Sequence, residues 1–272
     1  MTTVRDKLWL FASRAHDDDI WLGKGLGDHP IKWSRITPAE GALMLDVPNV
    51  IMINSDGIPV PFSADAYGYA ESFCRMQNVV WSITGSGGFR VGNEEQFICE
   101  LAEKYPNVTG AFADDFLGEG QSNRLDTEQK RALILEIREK LNCACRRLDM
   151  WLTLYSRDLA SCDPELYGLF DCLSLWTWEY KQLENLPRNF ELLEKKFPNN
   201  KKYIGIYFID YPNGRAVPDE YMELQCEFGL DMLRQKRADG LIFLTNCVMG
   251  VGLSSEYWLR SWIDRVKNEP LD

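Results

Sequence analysis

Short apolar runs recur along the chain, and each is bounded by polar or turn-forming residues. Their nearly continuous apolar character is typical of parallel strands, which are buried on both faces of a sheet. The pattern therefore predicts eight strands: LWLFAS (8–13), VIMINS (50–55), VVWSIT (79–84), VTGAFADD (108–115), MWLTLYS (150–156), DCLSLWTW (171–178), YIGIYFID (203–210) and GLIFLTN (240–246).

The segments between these runs carry helix signals. Thr37 stands before Pro38 and three residues before Glu40, which predicts a capping box with proline at the first helical position. The later segments place acidic residues early or basic residues late, as the helix dipole favours. We therefore expect a helix after each run, with the fifth connection (DPELYGLF) long enough for a single turn.

Eight alternating strands and helices close naturally into a barrel. The predicted fold class is α/β, a single (β/α)8 TIM barrel that spans residues 1–272, with a long glycine-containing loop over residues 14–35 after the first strand. An open doubly wound sheet is the alternative, but no G-x-G-x-x-G motif follows the first strand. Because the sequence contains no linker or charge block, we expect one domain.

Charge narrows the classes of ligand. The 272 residues include 41 acidic and 30 basic side chains, a net charge of −11. An acidic chain repels phosphate backbones and anionic membrane surfaces, so we expect a neutral or cationic small ligand, no nucleic acid and no membrane. His16 and His29 are the only histidines, which argues against a multi-histidine metal site. We predict no metal and no cofactor.

Cysteine usage indicates the compartment. Cys172 and Cys247 lie inside apolar runs, as small buried hydrophobic residues do, and Cys143 and Cys145 lack the spacing of a zinc site. The opening residues have no apolar stretch typical of a signal peptide, and no run approaches the length of a membrane span. The sequence therefore predicts reduced cysteines and a cytoplasmic location.

The active site of such a barrel lies at the carboxyl ends of its strands. Candidate catalytic acids at these ends are Asp114, Asp115, Glu179 and Asp210. Candidate substrate-binding residues are Asn54, Trp81, Tyr155, Arg157, Trp176, Trp178, Tyr211, Asn246 and His16. Two carboxyl groups beside a pocket are the groups that cleave glycosidic bonds, and aromatic rings offer flat surfaces to sugar rings. The expected substrate is therefore a carbohydrate.

The run VTGAFADDFLGEG adds a resemblance. It looks like the fourth strand of barrel glycoside hydrolases, and is similar to substrate-assisted β-N-acetylhexosaminidases that place two adjacent acids there. The resemblance implies that Asp114 orients the 2-acetamido group of the substrate and that Asp115 is the general acid/base. Other barrel glycosidases place one acid on strand 4 and another on strand 6 or 7, which here would be Glu179 or Asp210.

Side-chain alternation tests these candidates. Neighbouring residues of a strand face opposite sides, so Asp114 and Asp115 reach one pocket only if the chain turns after Asp114. On the sixth strand, Trp176 and Trp178 share a face and Glu179 takes the other, so Trp178 and Glu179 are competing candidates. Asp210 and Tyr211 compete in the same way.

Some candidates have structural alternatives. Trp81 and the strand-6 tryptophans could pack in the core, and the run Asp17–Asp19 is expected to be a solvated acidic loop, because its spacing matches no calcium loop. Two other functions stay open. A phosphosugar aldolase or isomerase could use this barrel, although a Schiff-base aldolase needs a lysine that no strand end provides. A barrel could also bind sugar without cleaving it.

Overall fold

The computed structural model describes residues 1–19, 33–117 and 125–271. Within these residues, eight parallel strands form a closed barrel in which each strand pairs with its neighbours in sequence and the last pairs with the first. The strands are β1 (Leu8–Ala12), β2 (Asn49–Met52), β3 (Asn78–Thr84), β4 (Val108–Ala113), β5 (Asp149–Tyr155), β6 (Cys172–Trp176), β7 (Lys201–Tyr207) and β8 (Gly240–Leu244). The chain is therefore a TIM barrel, as the apolar runs predict.

Helices surround the barrel between the strands. They are α1 (Pro38–Leu45), α2 (Ala64–Ser72), α3 (Glu94–Lys104), α4 (Thr127–Leu141), α5 (Pro164–Tyr167), α6 (Leu186–Lys196), α7 (Asp219–Arg234) and α8 (Ser254–Val266). The capping box of Thr37 and Glu40 is present at α1. A 3₁₀ segment, Tyr180–Asn185, precedes α6 where the sequence predicts a single longer helix. Most of the predicted first loop, with His29, falls in 20–32, outside the described residues.

Large aromatic side chains fill the barrel interior. The rings of Trp151 and Tyr203 have centroids 4.1 Å apart. Two glycines make room for such rings: a Cβ atom on Gly205 would lie 2.1 Å from the indole of Trp176, and one on Gly110 would lie 2.7 Å from the indole nitrogen of Trp151. These contacts place alternate residues of β4 to β7 inside the barrel, which fixes the side chains that reach its carboxyl end.

The predicted seventh strand is broken near its end. β7 stops at Tyr207, and Ile209–Asp210 instead pairs antiparallel with Arg215–Ala216 in a small separate ribbon. Asp210 is buried there, and its carboxylate contacts the guanidinium of Arg215 at 3.1 Å and accepts a hydrogen bond from Asn213 at 2.8 Å. The ribbon therefore uses Asp210 to hold its own turn.

The cysteines follow the prediction except at one pair. Cys172 and Cys247 are buried, as expected for residues inside apolar runs. Cys99 of α3 and Cys143, just after α4, instead form a disulfide with their Cα atoms 6.2 Å apart. The expectation that the cysteines are unpaired is therefore wrong at this pair, because packing of α3 against α4 brings together two residues 44 positions apart.

No described helix is long and apolar enough to span a membrane.

Candidate active site

A cavity of about 240 Å³ lies at the carboxyl ends of the barrel strands. Acids, hydroxyl groups and aromatic rings share its wall. The lining residues are Phe11, Ser13, Asp17, Asp18, Ser55, Ser86, Asp114, Asp115, Thr153, Tyr155, Trp176, Trp178, Tyr207, Tyr211, Leu244 and Thr245. Because each of the eight barrel strands contributes a residue at or shortly after its end, the cavity is centred on the barrel axis, where this fold places active sites.

Asp114 lies in the cavity wall directly after β4 and is buried. The hydroxyl of Thr153 on β5 donates a hydrogen bond to Asp114 Oδ1 at 2.9 Å, and the hydroxyl of Thr84 on β3 donates to its main-chain carbonyl at 2.7 Å. Burial raises the pKa of Asp114 well above its usual value, and the neighbouring Asp115 carboxylate raises it further, while the Thr153 hydrogen bond opposes both effects. This environment favours the protonated form.

Asp115 reaches the same cavity through a turn of the backbone. Its φ of +47° is in the left-handed region, which aspartate tolerates better than most residues. The phenol of Tyr155 donates to Asp115 Oδ1 at 2.9 Å, and the main-chain N–H of Gly87 donates to Oδ2 at 2.9 Å. The turn that the sequence requires after Asp114 is therefore present, and both aspartates line one cavity.

Stacked aromatic rings form the wall beyond the aspartates. Trp178 and Tyr211 are nearly parallel, with ring centroids 5.3 Å apart and planes 11° apart. Tyr207 packs edge-on against both, and Trp176 lies 5.1 Å from Tyr207. Trp178 is partly exposed, so the stack presents an aromatic surface to the cavity. Such a surface suits the C–H faces of a sugar ring.

Asp18 is an acid of the cavity wall that the sequence pattern does not predict. The hydroxyl of Tyr211 donates to Asp18 Oδ2 at 2.8 Å. Burial raises the pKa of Asp18 to about 6, although the Tyr211 hydrogen bond lowers it and the charges of Asp17 and Asp19 raise it. The expectation of a solvated acidic loop is therefore wrong for Asp18, because this residue lines the cavity and is bonded to Tyr211, beyond the end of β7.

Of each competing pair of neighbouring candidates, Trp178/Glu179 and Asp210/Tyr211, only one residue lines the cavity. On the side of β6, Trp178 lines the cavity, whereas Glu179 is exposed and lines a neighbouring depression with Arg157. After β7, Tyr211 lines the cavity, whereas Asp210 belongs to the ribbon. Glu179 and Asp210 are therefore not placed with the β4 aspartates. The guanidinium of Arg157 lies 4.6 Å from the ring centroid of Tyr155.

The other candidates lie outside the cavity. Trp81 is fully buried between β3 and the helices, with its ring 5.6 Å from that of Phe97. Asn54 is buried, and its carbonyl packs against Gly85. Asn246 joins the ends of β8 and β1 by hydrogen bonds to both main-chain groups of Ser13. His16 is exposed and bonds to Asp19 at 3.0 Å.

Thr153 and Tyr207 are further lining residues that are outside the candidate list above. Thr153 lies two positions after Trp151 on β5, and Tyr207 lies four positions after Tyr203 on β7. Both therefore share a strand face with a ring inside the barrel. Alternation could therefore have placed them once one inward residue was known. Asp18 gives no such signal, since it lies in a loop. No metal-binding cluster of three or more His, Cys, Asp or Glu side chains occurs among the described residues.

Comparison with known proteins identifies the architecture. No family profile matches the sequence. No curated protein matches it either. The GH99 endo-α-mannosidase of Bacteroides thetaiotaomicron is similar in structure, with a TM-score of 0.59 and 10% identity over 96% of this chain and 97% of that chain.

Two other similar structures have different functions in their names. The xylanase-A-amylase inhibitor protein XAIP-III has a TM-score of 0.54 and 12% identity over 94% of this chain and 98% of that chain. The aldolase QR15 has a TM-score of 0.51 and 10% identity over 97% of this chain and 99% of that chain. At these identities the likeness shows the fold alone, a TIM barrel of the kind found in glycoside hydrolases and in other proteins.

Proposed function

We propose that this protein hydrolyses glycosidic bonds. The observation that carries the proposal is the pair of adjacent aspartates after β4, Asp114 and Asp115, which both line one cavity opposite the stacked rings of Trp178 and Tyr211. Carboxyl groups supply the proton transfer and charge stabilisation that glycoside cleavage needs, and the rings supply a surface for the sugar. A lysine for Schiff-base chemistry is absent from the described lining residues.

The two aspartates have different environments, which suits different tasks. Asp115 is the more open to the cavity, and we assign it the transfer of a proton to the leaving oxygen. Asp114 lies deeper, held by Thr153, and we assign it the orientation of a substrate group beside the anomeric carbon. Burial and mutual repulsion, which raise the pKa of Asp114, keep one proton on the pair to a higher pH than an isolated aspartate would hold it.

Leaving-group dependence separates these two tasks. We compare the rates of the parent, Asp115→Asn and Asp114→Asn on two kinds of glycoside. Nitrophenyl glycosides have a leaving group that departs without protonation, whereas the alcohol of an alkyl glycoside must be protonated as it departs. A panel of sugars, including N-acetylglucosaminides, identifies a substrate first. Asp115→Asn is expected to slow alkyl glycosides by about 10²–10⁴-fold and nitrophenyl glycosides much less. Asp114→Asn is expected to slow both equally.

The matched control is Asp56→Asn. Asp56 is an exposed acid just after β2, outside the cavity lining, and asparagine tolerates its positive φ of 51°. This variant loses the same charge at the same end of the barrel and should keep the parental rates. Parental hydrolysis of alkyl glycosides by Asp115→Asn would refute its role as the acid. Sugar binding by the parent without any turnover would leave a binding protein in place of the enzyme.

A further inference from the structure

The cavity has a charge imbalance that hydrolysis alone does not explain. Asp17, Asp18, Asp114 and Asp115 line it, and its described lining contains no lysine, arginine or histidine. Asp17 is paired with Arg14 at 3.0 Å. In the described part of the chain, the other three form no ion pair, and their side-chain contacts are to hydroxyl and main-chain N–H groups.

Asp18 and the β4 aspartates belong to different sides of the closed ring of strands. It follows β1 and is held by Tyr211, which follows β7, so it lies on the side of β8. In the closed ring of strands, three strands separate β8 from β4 in either direction. Asp18 is therefore placed to contact a different part of a bound substrate from the part that Asp114 and Asp115 contact.

The position of Asp18 beside aromatic rings suits a cation. Its partner Tyr211 is stacked on Trp178, and Tyr207 packs edge-on against both rings. Ring faces and a carboxylate both attract an ammonium group, and the attraction is strongest where water is excluded. A partly buried carboxylate without a cation is costly, and a bound ammonium group would offset that cost.

We propose that the cavity binds a sugar that carries a protonated amine, and that Asp18 is the counter-ion of that amine. The proposal deepens the proposed function, on which it rests, by naming the class of substrate. A free metal ion fits less well, because the described residues contain no cluster of three ligating side chains. An amine also agrees with the net charge of −11 of the whole chain.

Binding of three matched tetrasaccharides tests the proposal. The probes are the β-1,4-linked tetramer of glucosamine, its fully N-acetylated form, and cellotetraose, which has hydroxyl groups at the same positions. Calorimetry on Asp115→Asn, which suppresses turnover, gives their affinities at pH 7. The glucosamine tetramer is expected to bind at least about tenfold more tightly than cellotetraose, since a hydrogen bond between charged groups is stronger than one between neutral groups. Its affinity should fall with added salt.

A second variant isolates Asp18. Adding Asp18→Asn, which keeps an acceptor for the Tyr211 hydroxyl, should remove most of the preference for the amine, whereas adding Asp56→Asn should not. A thermal melt checks that each variant is folded. Equal or tighter binding of the neutral tetramers would overturn the proposal, and so would an amine preference that Asp18→Asn does not change.

The outcomes also separate this proposal from the proposed function. If the parent cleaves neutral glycosides but shows no preference for the amine, hydrolysis stands and the amine site fails. If the amine binds through Asp18 but no glycoside is cleaved by the parent, the amine site stands and hydrolysis fails.

Discussion

The amino-terminal end of the barrel and the cavity at its carboxyl end differ in how they hold acidic residues. At the amino-terminal end of the strands, acids meet cations: the ammonium of Lys201 lies 2.6 Å from the carboxylate of Asp149, and that of Lys267 lies 2.9 Å from Asp46. At the carboxyl end, the described lining of the cavity includes acids but no basic side chain. The difference separates acids that stabilise the fold from acids that do not.

Asp171, just before β6, shows what the amino-terminal end provides. Its carboxylate contacts Arg138 and Arg147 and accepts a hydrogen bond from the N–H of Met150 at 2.8 Å. Burial raises the pKa of Asp171, but the Met150 hydrogen bond and the two guanidinium groups outweigh it, so that the pKa is lower than usual. Folding therefore favours the charged form of this residue.

Asp18 and Asp114 show the reverse. Burial raises the pKa of both residues, and the neighbouring carboxylates raise it further. Only neutral hydrogen-bond donors offset these effects: the Tyr211 hydroxyl for Asp18, and the Thr153 hydroxyl and the main-chain N–H of Asp115 for Asp114. Folding therefore disfavours their charged forms. In TIM barrels the amino-terminal end supports stability and the carboxyl end supports function, so acids that oppose folding are expected where a ligand is proposed to bind.

The largest expected effect of a change at the mouth is on activity. Asp114→Asn should lower kcat/KM by about 10²–10⁴-fold while raising the stability at neutral pH, because asparagine still accepts the Thr153 hydrogen bond and carries no buried charge. Activity and urea unfolding midpoint are measured on the same preparation. A variant that keeps its activity, or that loses stability at pH 7, would contradict the contrast between the two ends.

At the other end, Asp171→Asn should lower stability and spare activity. It removes a half-buried partner of two arginines, and we expect the free energy of unfolding to fall by about 2–4 kcal/mol. Lys201→Met, at the more exposed pair with Asp149, is the comparison variant and should cost less than about 1 kcal/mol. Urea titration gives both values. If kcat per folded molecule falls in Asp171→Asn, the two ends are not independent.

How much of this could be predicted from sequence depends on the physical origin of each feature. The eight strands follow from apolar runs, because burial on both faces of a strand leaves a strong local pattern. Because both faces of such a strand are apolar, however, the sequence does not show which face points into the barrel. Trp81 and Trp176 lie in similar runs, yet one packs against helices and the other inside the barrel, where Gly205 leaves room for it.

Local geometry predicts some of the site and not the rest. Asp114 and Asp115 could be predicted because they end an apolar run, and the turn that brings both to one cavity involves only adjacent residues. Asp18 was missed and Asp210 was misplaced because their partners, Tyr211 and Arg215, are set by how a loop and a ribbon fold. The run carries no charged or strongly polar side chain from Tyr203 to Ile209, so its pattern does not show that pairing to the barrel stops at Tyr207.

A smaller effect is expected at Asp18, where a substitution should change stability through the loss of a charge, without removing a proposed catalytic group. Asp18→Asn should raise the free energy of unfolding at pH 7 by about 1–3 kcal/mol, because the pKa rises from 3.8 to about 6 on folding. Asp56→Asn, which removes an exposed acid at the same end, should change stability by less than about 0.5 kcal/mol. Loss of stability in Asp18→Asn would show that its charge is satisfied within the fold.

The smallest expected effect is the pH dependence of the stability gained in Asp18→Asn. This dependence identifies the Asp18 carboxyl as the group responsible. Because the pKa of Asp18 is higher in the folded chain than the usual 3.8, its favourable contribution is complete below pH 4 and is lost as pH rises through about 6. The difference in unfolding free energy between Asp18→Asn and the parent should therefore open between about pH 4 and 6, by at most about 1.4 kcal/mol per pH unit, and then stay constant.

Asp171→Asn should show the opposite sign, with a loss of unfolding free energy that disappears as pH falls through the lowered pKa of Asp171. Urea titrations at half-unit steps from pH 3 to 7.5 distinguish the two slopes, and equal slopes would mean that the two ends of the barrel do not differ in how they hold charge.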